Sequence, residues 1–363
     1  MKIAHLEFGR HAYGGAEQLK YLLEGLTDDH HAHLLVAAAG GDLARWAAAS
    51  DRPHEALEFS GEHDLRAVFR LGRVLREQGV DLVHVHSRRG ADWIGPLAAM
   101  RAGVPAIISR RIDNPPRFWL RWLMRNRYRR VVCISQAIQG VLESAGVSRD
   151  NLLTITSAVD AVRYSGRAPD DARRQLLGRG HRGPLIGVIA QFIDRKGHRF
   201  LLRALPGLRE AYPDLAVVFL GRGALRETLE AEVEAAGLSG CVQFAGFRED
   251  LASLLPALDL VVHPALMEGL GVSLLEAAAA GVPVVGFAAG GVTEAVADEH
   301  SGLLVESGDA IALGAAIGRL LGDPELRGRM GENARRRVEA EFSIEVMVKR
   351  YAALYDVLAG EIE

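Results

Sequence analysis

Leu185-Ile186-Gly187-Val188-Ile189-Ala190 is a short apolar run, followed by the loop Gln191-Phe192-Ile193-Asp194 and then by Arg195-Lys196-Gly197. A run of this length suits a strand better than a helix. Its continuous apolar character suits a strand covered on both faces of a parallel sheet. Similar runs follow at residues 216–220, 242–244, 260–263, 283–287 and 302–305, each succeeded by a helical stretch or a tight glycine loop. After Asp309 only helical pattern remains. The same alternation occurs once upstream, with strand-like runs at 3–8, 33–38, 81–86, 105–109, 131–135 and 152–156. Strands alternating with helices predict an α/β fold. Here they predict two Rossmann-like doubly wound parallel-sheet domains in series, facing a cleft. The expected division is residues 1–165 for an N-terminal Rossmann-like domain and 166–342 for a C-terminal Rossmann-like domain. Residues 343–363 form a C-terminal helix expected to return to the N-terminal domain. Residues 157–183, polar and rich in Arg, Asp and Gly, read as the linker.

Length and composition agree with two domains. The chain has 363 residues, 49% of them hydrophobic and 25% charged, with a formal net charge of −3. Such a chain buries a core, and its charge argues against nucleic acid as a general partner. Two cysteines, Cys133 and Cys241, make no disulfide framework. The N-terminus meets Glu7 before a signal-peptide core can form, and no run of ~18 apolar residues crosses a membrane. These features exclude a secreted toxin, a membrane-spanning carrier and a collagenous chain. The expected location is cytoplasmic, with a peripheral place at the inner face of the plasma membrane. The charge is unevenly divided: residues 1–165 carry 22 basic and 18 acidic side chains, and residues 166–363 carry 21 and 28.

Parallel sheets place ligands at the carboxyl ends of their strands, and the polar motifs lie there. Gly14-Gly15 stands between the first strand and a helix, where backbone can approach a phosphate. Arg195 and Lys196 follow the strand at 185–190, and two adjacent cations suit a diphosphate. Gly221-Arg222-Gly223 is too short for a dinucleotide fingerprint and lets a ligand or a neighbouring loop come close. In His263-Pro264-Ala265-Leu266-Met267-Glu268-Gly269-Leu270-Gly271-Val272-Ser273-Leu274-Leu275-Glu276, one carboxylate lies in a glycine-rich loop and the second in the next helix. Glu268 and Glu276 can accept hydrogen bonds from vicinal hydroxyls, as on a ribose and a hexose. Gly269 and Gly271 leave amides near the first carboxylate. His84 and His86 share one strand face; a two-histidine metal pair lacks an evident third ligand, and the chain has no Asp-x-Asp. His86, at the strand end, and Arg110 and Arg111, after the 105–109 strand, are candidates for the acceptor or sugar side. Residues 110–130 hold eight arginines and one acid, interleaved with Phe118, Trp119, Trp122 and Tyr128. They read as a basic aromatic helix, facing an anionic membrane surface or packed on the sheet with its arginines in solvent.

Together these motifs resemble the GT-B fold glycosyltransferases of family 4, also called group 1. The resemblance runs over nearly the whole chain and is densest from Leu185 to Val305. It rests on Glu268…Glu276 as an E-x7-E pair, on Arg195-Lys196, on Gly14-Gly15 followed by Ala16-Glu17, and on Gly290-Gly291-Val292-Thr293-Glu294. It implies a retaining, metal-independent transfer of a sugar from a nucleotide-sugar, which is a substrate, with no cofactor. Arg195, Lys196 and Glu268 would be catalytic. Glu276 would bind the ribose, and Gly14, Gly15, Gly221, Gly269, Leu270, Gly271 and Val272 would line the donor. The acceptor would be a glycan or lipid-linked sugar, in lipopolysaccharide or surface polysaccharide synthesis. Three positions depart from the family pattern: Arg110-Arg111 replaces a common His, Gln191 a Gly-Arg pair, and Ala265 a frequent Ser. Rival readings are a sugar-nucleotide epimerase or hydrolase on the same scaffold and a non-enzymatic nucleotide-sugar sensor.

Overall fold

The computed structural model describes residues 1–11, 14–26, 30–87, 90–178 and 180–362. It contains two parallel sheets. The first is built from β1 (Lys2–Glu7), β2 (Ala32–Ala38), β3 (His54–Leu57), β4 (Leu82–Val85), β5 (Ala106–Arg110), β6 (Tyr128–Cys133) and β7 (Leu152–Thr154). Its spatial order is β3-β2-β1-β4-β5-β6-β7. The second is built from β8 (Leu185–Ile189), β9 (Ala216–Leu220), β10 (Val242–Gly246), β11 (Leu260–His263), β12 (Val284–Phe287) and β13 (Gly302–Val305), in the order β10-β9-β8-β11-β12-β13. Both orders reverse direction beside their first strand, between β1 and β4 and between β8 and β11. A crevice opens at the carboxyl ends at such a switch point.

The apolar runs become strands because both sheet faces are covered. Ile186, Val188, Val217, Phe219, Val262, Val285 and Phe287 are sealed from solvent in one core with Leu201, Leu205 and Leu208 of the helix His198–Ala211. Removing apolar area from water at roughly 25 cal/mol per Å² stabilises this layer, and it leaves polar groups only at strand ends.

The chain divides into two compact units: Met1–Ser157 with Ile344–Glu363, and Ala158–Ser343. The division precedes the boundary expected at 165/166. The reason is that helix Ala161–Tyr164 packs on helix Val272–Ala279 of the second unit. The segment 157–183 is therefore no free linker. Tyr164, Leu176 and Leu177 are buried, and Arg173 donates to Asp259 at 2.9 Å and to the Gly183 carbonyl at 2.6 Å. The C-terminal helix Ile344–Ile362 packs on the helix Gly14–Gly25 and buries Tyr351 and Tyr355 in the first unit.

Two readings of the sequence need correction. The edge strand β3 was not expected, because His54-Glu55-Ala56-Leu57 lacks an apolar run. The 110–130 segment is not one helix. Its helix spans only Phe118–Asn126, and Arg129 and Arg130 belong to β6, where both pair with Glu361 at 2.7 Å.

Candidate functional site

In the second unit, the loops after β8 and β11 meet at the switch point. Asp194–Lys196 forms a single tight turn closed by Gly197, whose φ of 66° is left-handed. A Cβ at Gly197 would lie 1.9 Å from the Pro264 carbonyl oxygen, so only glycine lets the turn reach the loop after β11. The contact is sealed by the Leu266 N–H donating to the Arg195 carbonyl at 2.8 Å, and Arg195 Nη1 donates to the Met267 carbonyl at 3.3 Å.

This close approach brings Lys196 Nζ onto Glu268 Oε2. The pair is largely enclosed, with 11% and 12% of the two side chains exposed. Lys196 is thus an enclosed, paired cation rather than a solvent-facing one. His263 Nε2 lies 3.0 Å from the same Glu268 oxygen, while Glu268 Oε1 accepts from the Gly269 N–H at 3.1 Å. Burial alone would raise the Glu268 carboxyl, but the His263 hydrogen bond and the Lys196 charge outweigh it and bring it down to about 2. Glu268 is therefore ionised, and His263 must donate. The Gly269 amide, expected to be free, is occupied by this carboxylate.

Gly271, at φ 86°, caps the helix Val272–Ala279 that carries Glu276. Burial pushes the Glu276 carboxyl up to about 7, against a hydrogen bond with Tyr164 and the nearby Arg163 charge. The Glu268 loop is braced from behind. A Cβ at Gly291 would meet the Gly269 carbonyl at 2.1 Å, and the Gly291 N–H donates to the Glu268 carbonyl at 2.9 Å. Gly221 has a comparable packing role: a Cβ there would lie 1.9 Å from the Ala190 carbonyl, so it admits the neighbouring loop.

In the first unit, Gly14 and Gly15 open the helix Gly14–Gly25, and Arg111 lies against Gly15. Arg110, buried, donates to the Asn114 carbonyl at 2.6 Å. It also lines a groove of about 1170 Å³ with Trp93, Leu97, Trp119 and Trp122. His86 is only 3% exposed, so the expectation that it meets an acceptor is corrected. Its Nε2 lies 3.0 Å from His5 Nδ1, and His5 Nε2 lies 3.0 Å from His33 Nδ1. The third imidazole that the sequence reading lacked is therefore His5, on the neighbouring strand. One nitrogen from each of His5, His84 and His86 could face a common ion. The geometry favours a hydrogen-bonded core instead. His84 holds Tyr355 at 2.7 Å and Ser109 at 2.9 Å, leaving neither nitrogen spare. Burial first, and then the neighbouring imidazoles and Arg111, keep His86 well below the usual histidine range. A cation placed beside Arg111 would be repelled.

His263, His5 and Tyr164 escaped the sequence reading. The signal for His263 was a polar residue closing an otherwise apolar strand five positions before Glu268. The other two join their partners only through the fold.

The two sheets, with their motif-bearing loops, define a protein of the GT-B class. Residues 170–337 match the family model of glycosyl transferases group 1, and residues 13–163 match that of glycosyltransferase family 4. The chain belongs to this family of glycosyltransferases. It is 31% identical over 289 residues to a GDP-mannose-dependent alpha-(1-6)-phosphatidylinositol monomannoside mannosyltransferase of Mycolicibacterium smegmatis, covering 72% of each chain. It is 35% identical over 239 residues to the GDP-mannose-dependent monoacylated counterpart of Corynebacterium glutamicum, covering 63% of this chain and 61% of that one. Among solved structures, Anabaena HepE in complex with UDP superposes with a TM-score of 0.84 at 22% identity, covering 98% of this chain and 100% of that one.

Proposed function

We propose that the protein transfers a hexosyl group from a nucleotide-sugar to a lipid-linked glycan, with retention at the anomeric carbon and without a metal. The observation that carries this reading is the convergence of Arg195, Lys196 and Glu268 at the switch point of the second sheet. In the transfer, the bond from the anomeric carbon to the diphosphate breaks. A bond to an acceptor oxygen forms, and the acceptor proton is released. Negative charge grows on the leaving diphosphate, and Arg195 and Lys196 would supply the preorganised cations that stabilise it. Glu268 would contact a sugar hydroxyl, a role supported by the Lys196 ammonium, His263 and the Gly269 amide, which hold its carboxylate in one orientation. Glu276, one helix further on, would accept from the ribose. The relatives' GDP-mannose and the neighbour's UDP support a nucleotide-sugar donor and leave the base open.

The decisive measurement is product analysis with a panel of UDP- and GDP-sugars and a lipid-linked glycan, with EDTA present. The expected product keeps the donor's anomeric configuration and forms at an undiminished rate. Inversion, or loss of turnover in EDTA, overturns the corresponding part of the reading. Rapid hydrolysis or epimerisation of donor alone would favour the hydrolase or epimerase instead.

The acceptor side is assigned to the first unit, at the cytoplasmic membrane face, in lipopolysaccharide or other surface glycan synthesis. Along the helix Phe118–Asn126, Phe118 and Trp122 are 77% and 50% exposed, and Arg121 and Arg125 are exposed beside them. These four positions, spaced i, i+3, i+4 and i+7, lie on one helical face. Aromatic rings and arginines facing water together suit an anionic lipid surface better than simple packing on the sheet. At roughly 1 kcal/mol per cation, the double change Arg121→Gln and Arg125→Gln is expected to weaken binding to phosphatidylglycerol vesicles about thirtyfold. Co-sedimentation at low and high salt checks this; unchanged binding would remove the membrane assignment.

A further inference from the structure

Four imidazoles that the proposed transfer does not use lie together beneath the C-terminal helix of the first unit. The register of β1 on β4 sets His5 opposite His84, and the two-residue repeat of an extended chain puts His86 on the face of His84. His33 joins them from β2. His5, His84 and His86 are sealed from solvent. The helix Ile344–Ile362 is fastened to them through two buried tyrosines. His84 Nδ1 lies 2.7 Å from the Tyr355 hydroxyl, and His84 Nε2 lies 2.9 Å from Ser109 Oγ, which is itself 2.9 Å from the Tyr351 hydroxyl. His5 bridges His86 and His33 at 3.0 Å on each side.

Neutral rings suit this arrangement and a charged ring does not. Among the described residues, no carboxylate lies in hydrogen-bond reach of His5, His84 or His86. The groups on the sheet side, His33 and Arg111, repel a further cation. The helix offers the phenols of Tyr351 and Tyr355, which are neutral below pH 7. Cys133 on β6, its thiol pushed up to about 12 by burial, is neutral as well. Two carboxylates stand nearby and are engaged elsewhere. Glu7 accepts from the Gly9 N–H at 2.8 Å, and Asp356, at the exposed edge of the helix, faces His31 at 3.0 Å. His86 Nδ1 is sealed and has no hydrogen-bond partner, so a proton placed there would find no acceptor. A ring in such surroundings either stays neutral or leaves them.

We propose that His5, His84 and His86 form an acid-sensitive latch, which holds the C-terminal helix on the first sheet while the three rings are neutral and releases it when they take up protons. The sign follows from linkage. Burial first, and then the neighbouring imidazoles and Arg111, keep the docked rings well below the usual histidine range. Undocked rings return to the ordinary value of about 6.5, so the released state binds more protons below that pH. Docking is therefore at full strength above about pH 6.5 and weakens as pH falls, each ring raising the opening constant by up to about tenfold per pH unit. The latch does not rest on the reading of the transfer site. Glu276 titrates in the second unit and with the opposite sign, so the two effects separate by location.

The test is hydrogen exchange of the full-length protein, read by mass spectrometry at pH 7, 6 and 5 and corrected for the intrinsic exchange rate. From pH 6 to pH 5 the opening constant of peptides within 344–362 is expected to rise more than tenfold, reaching several hundredfold when all three rings take up a proton. Protection should return at pH 7. Peptides of β8 and β9 in the second unit should respond with a smaller slope. His5→Gln and His86→Gln should each remove about tenfold from the ratio between pH 6 and pH 5, whatever they do to protection at pH 7. A histidine that only packs would shift the level and leave that ratio unchanged, which would overturn the proposal. So would a rise of tenfold or less in the unmodified protein, which decides the matter even if neither variant folds. Equal slopes in the two units would also overturn it, because acid would then be unfolding the whole chain.

Discussion

Lys196→Ala is expected to lower turnover about 100- to 1000-fold, the usual cost of removing one preorganised group that stabilises charge in a transition state. Folding will also be affected, because Lys196 is enclosed and paired with Glu268. Its loss leaves that carboxylate with His263 and the Gly269 amide alone. The expected destabilisation is about 1–3 kcal/mol, the range for leaving a buried group short of a partner. The two effects separate in the double variant Lys196→Ala, Glu268→Gln. Removing both charges takes away the uncompensated carboxylate, so stability should recover relative to Lys196→Ala. Turnover should not recover. Denaturant melts and single-turnover rates on the unmodified protein and these two variants check this. Recovery of both together would show that Lys196 acts only by holding the loop in place.

Donor affinity is expected to improve about tenfold between pH 6 and pH 8. Glu276 titrates near 7 in the unliganded protein, mainly because it is buried. If the ribose hydroxyls need its ionised form, the competent fraction rises from roughly one tenth to nine tenths over that range. Stability of the unliganded protein should move the other way. The folded-state value lies above the carboxyl reference of 4.5. The contribution of Glu276 is therefore fully present below about 4.5 and is lost as pH rises through about 7. Saturating nucleotide should reverse that slope. Glu276→Gln should flatten both profiles and weaken nucleotide binding at pH 8. Calorimetric titrations of nucleotide across pH, paired with melts, measure the two slopes. A flat affinity profile in the unmodified protein would remove Glu276 from the ribose contact.

Most of the fold was legible in the sequence because buried parallel strands leave a plain mark. Runs such as Ala216–Leu220 and Leu260–His263 have no polar face to disguise them, and both are strands with those limits. Where a strand is an edge, as at His54–Leu57, that mark is absent. The residues 110–130 misled for a related reason. Arginine-rich composition suggested one continuous helix, whereas Tyr128–Cys133 is claimed by pairing with β5 and β7. Its arginines 129 and 130 are then matched by Glu361, more than two hundred residues away.

The candidate site divides in the same way. Arg195, Lys196, Glu268 and Glu276 could be read from their places after strands, since a parallel sheet confines polar chemistry to strand ends. The sequence by itself thus determined the fold class and the residues that bear charge. Only the tertiary structure decided how those charges are compensated. Lys196 and Glu268 are 72 positions apart and meet because β8 and β11 are neighbours and Gly197 lets their loops touch. Arg111, by contrast, comes to rest beside Gly15 with no carboxylate paired to it. Local pattern encodes where a side chain leaves the sheet. Which charge it then faces depends on strand order and loop approach, which are properties of contacts distant in sequence.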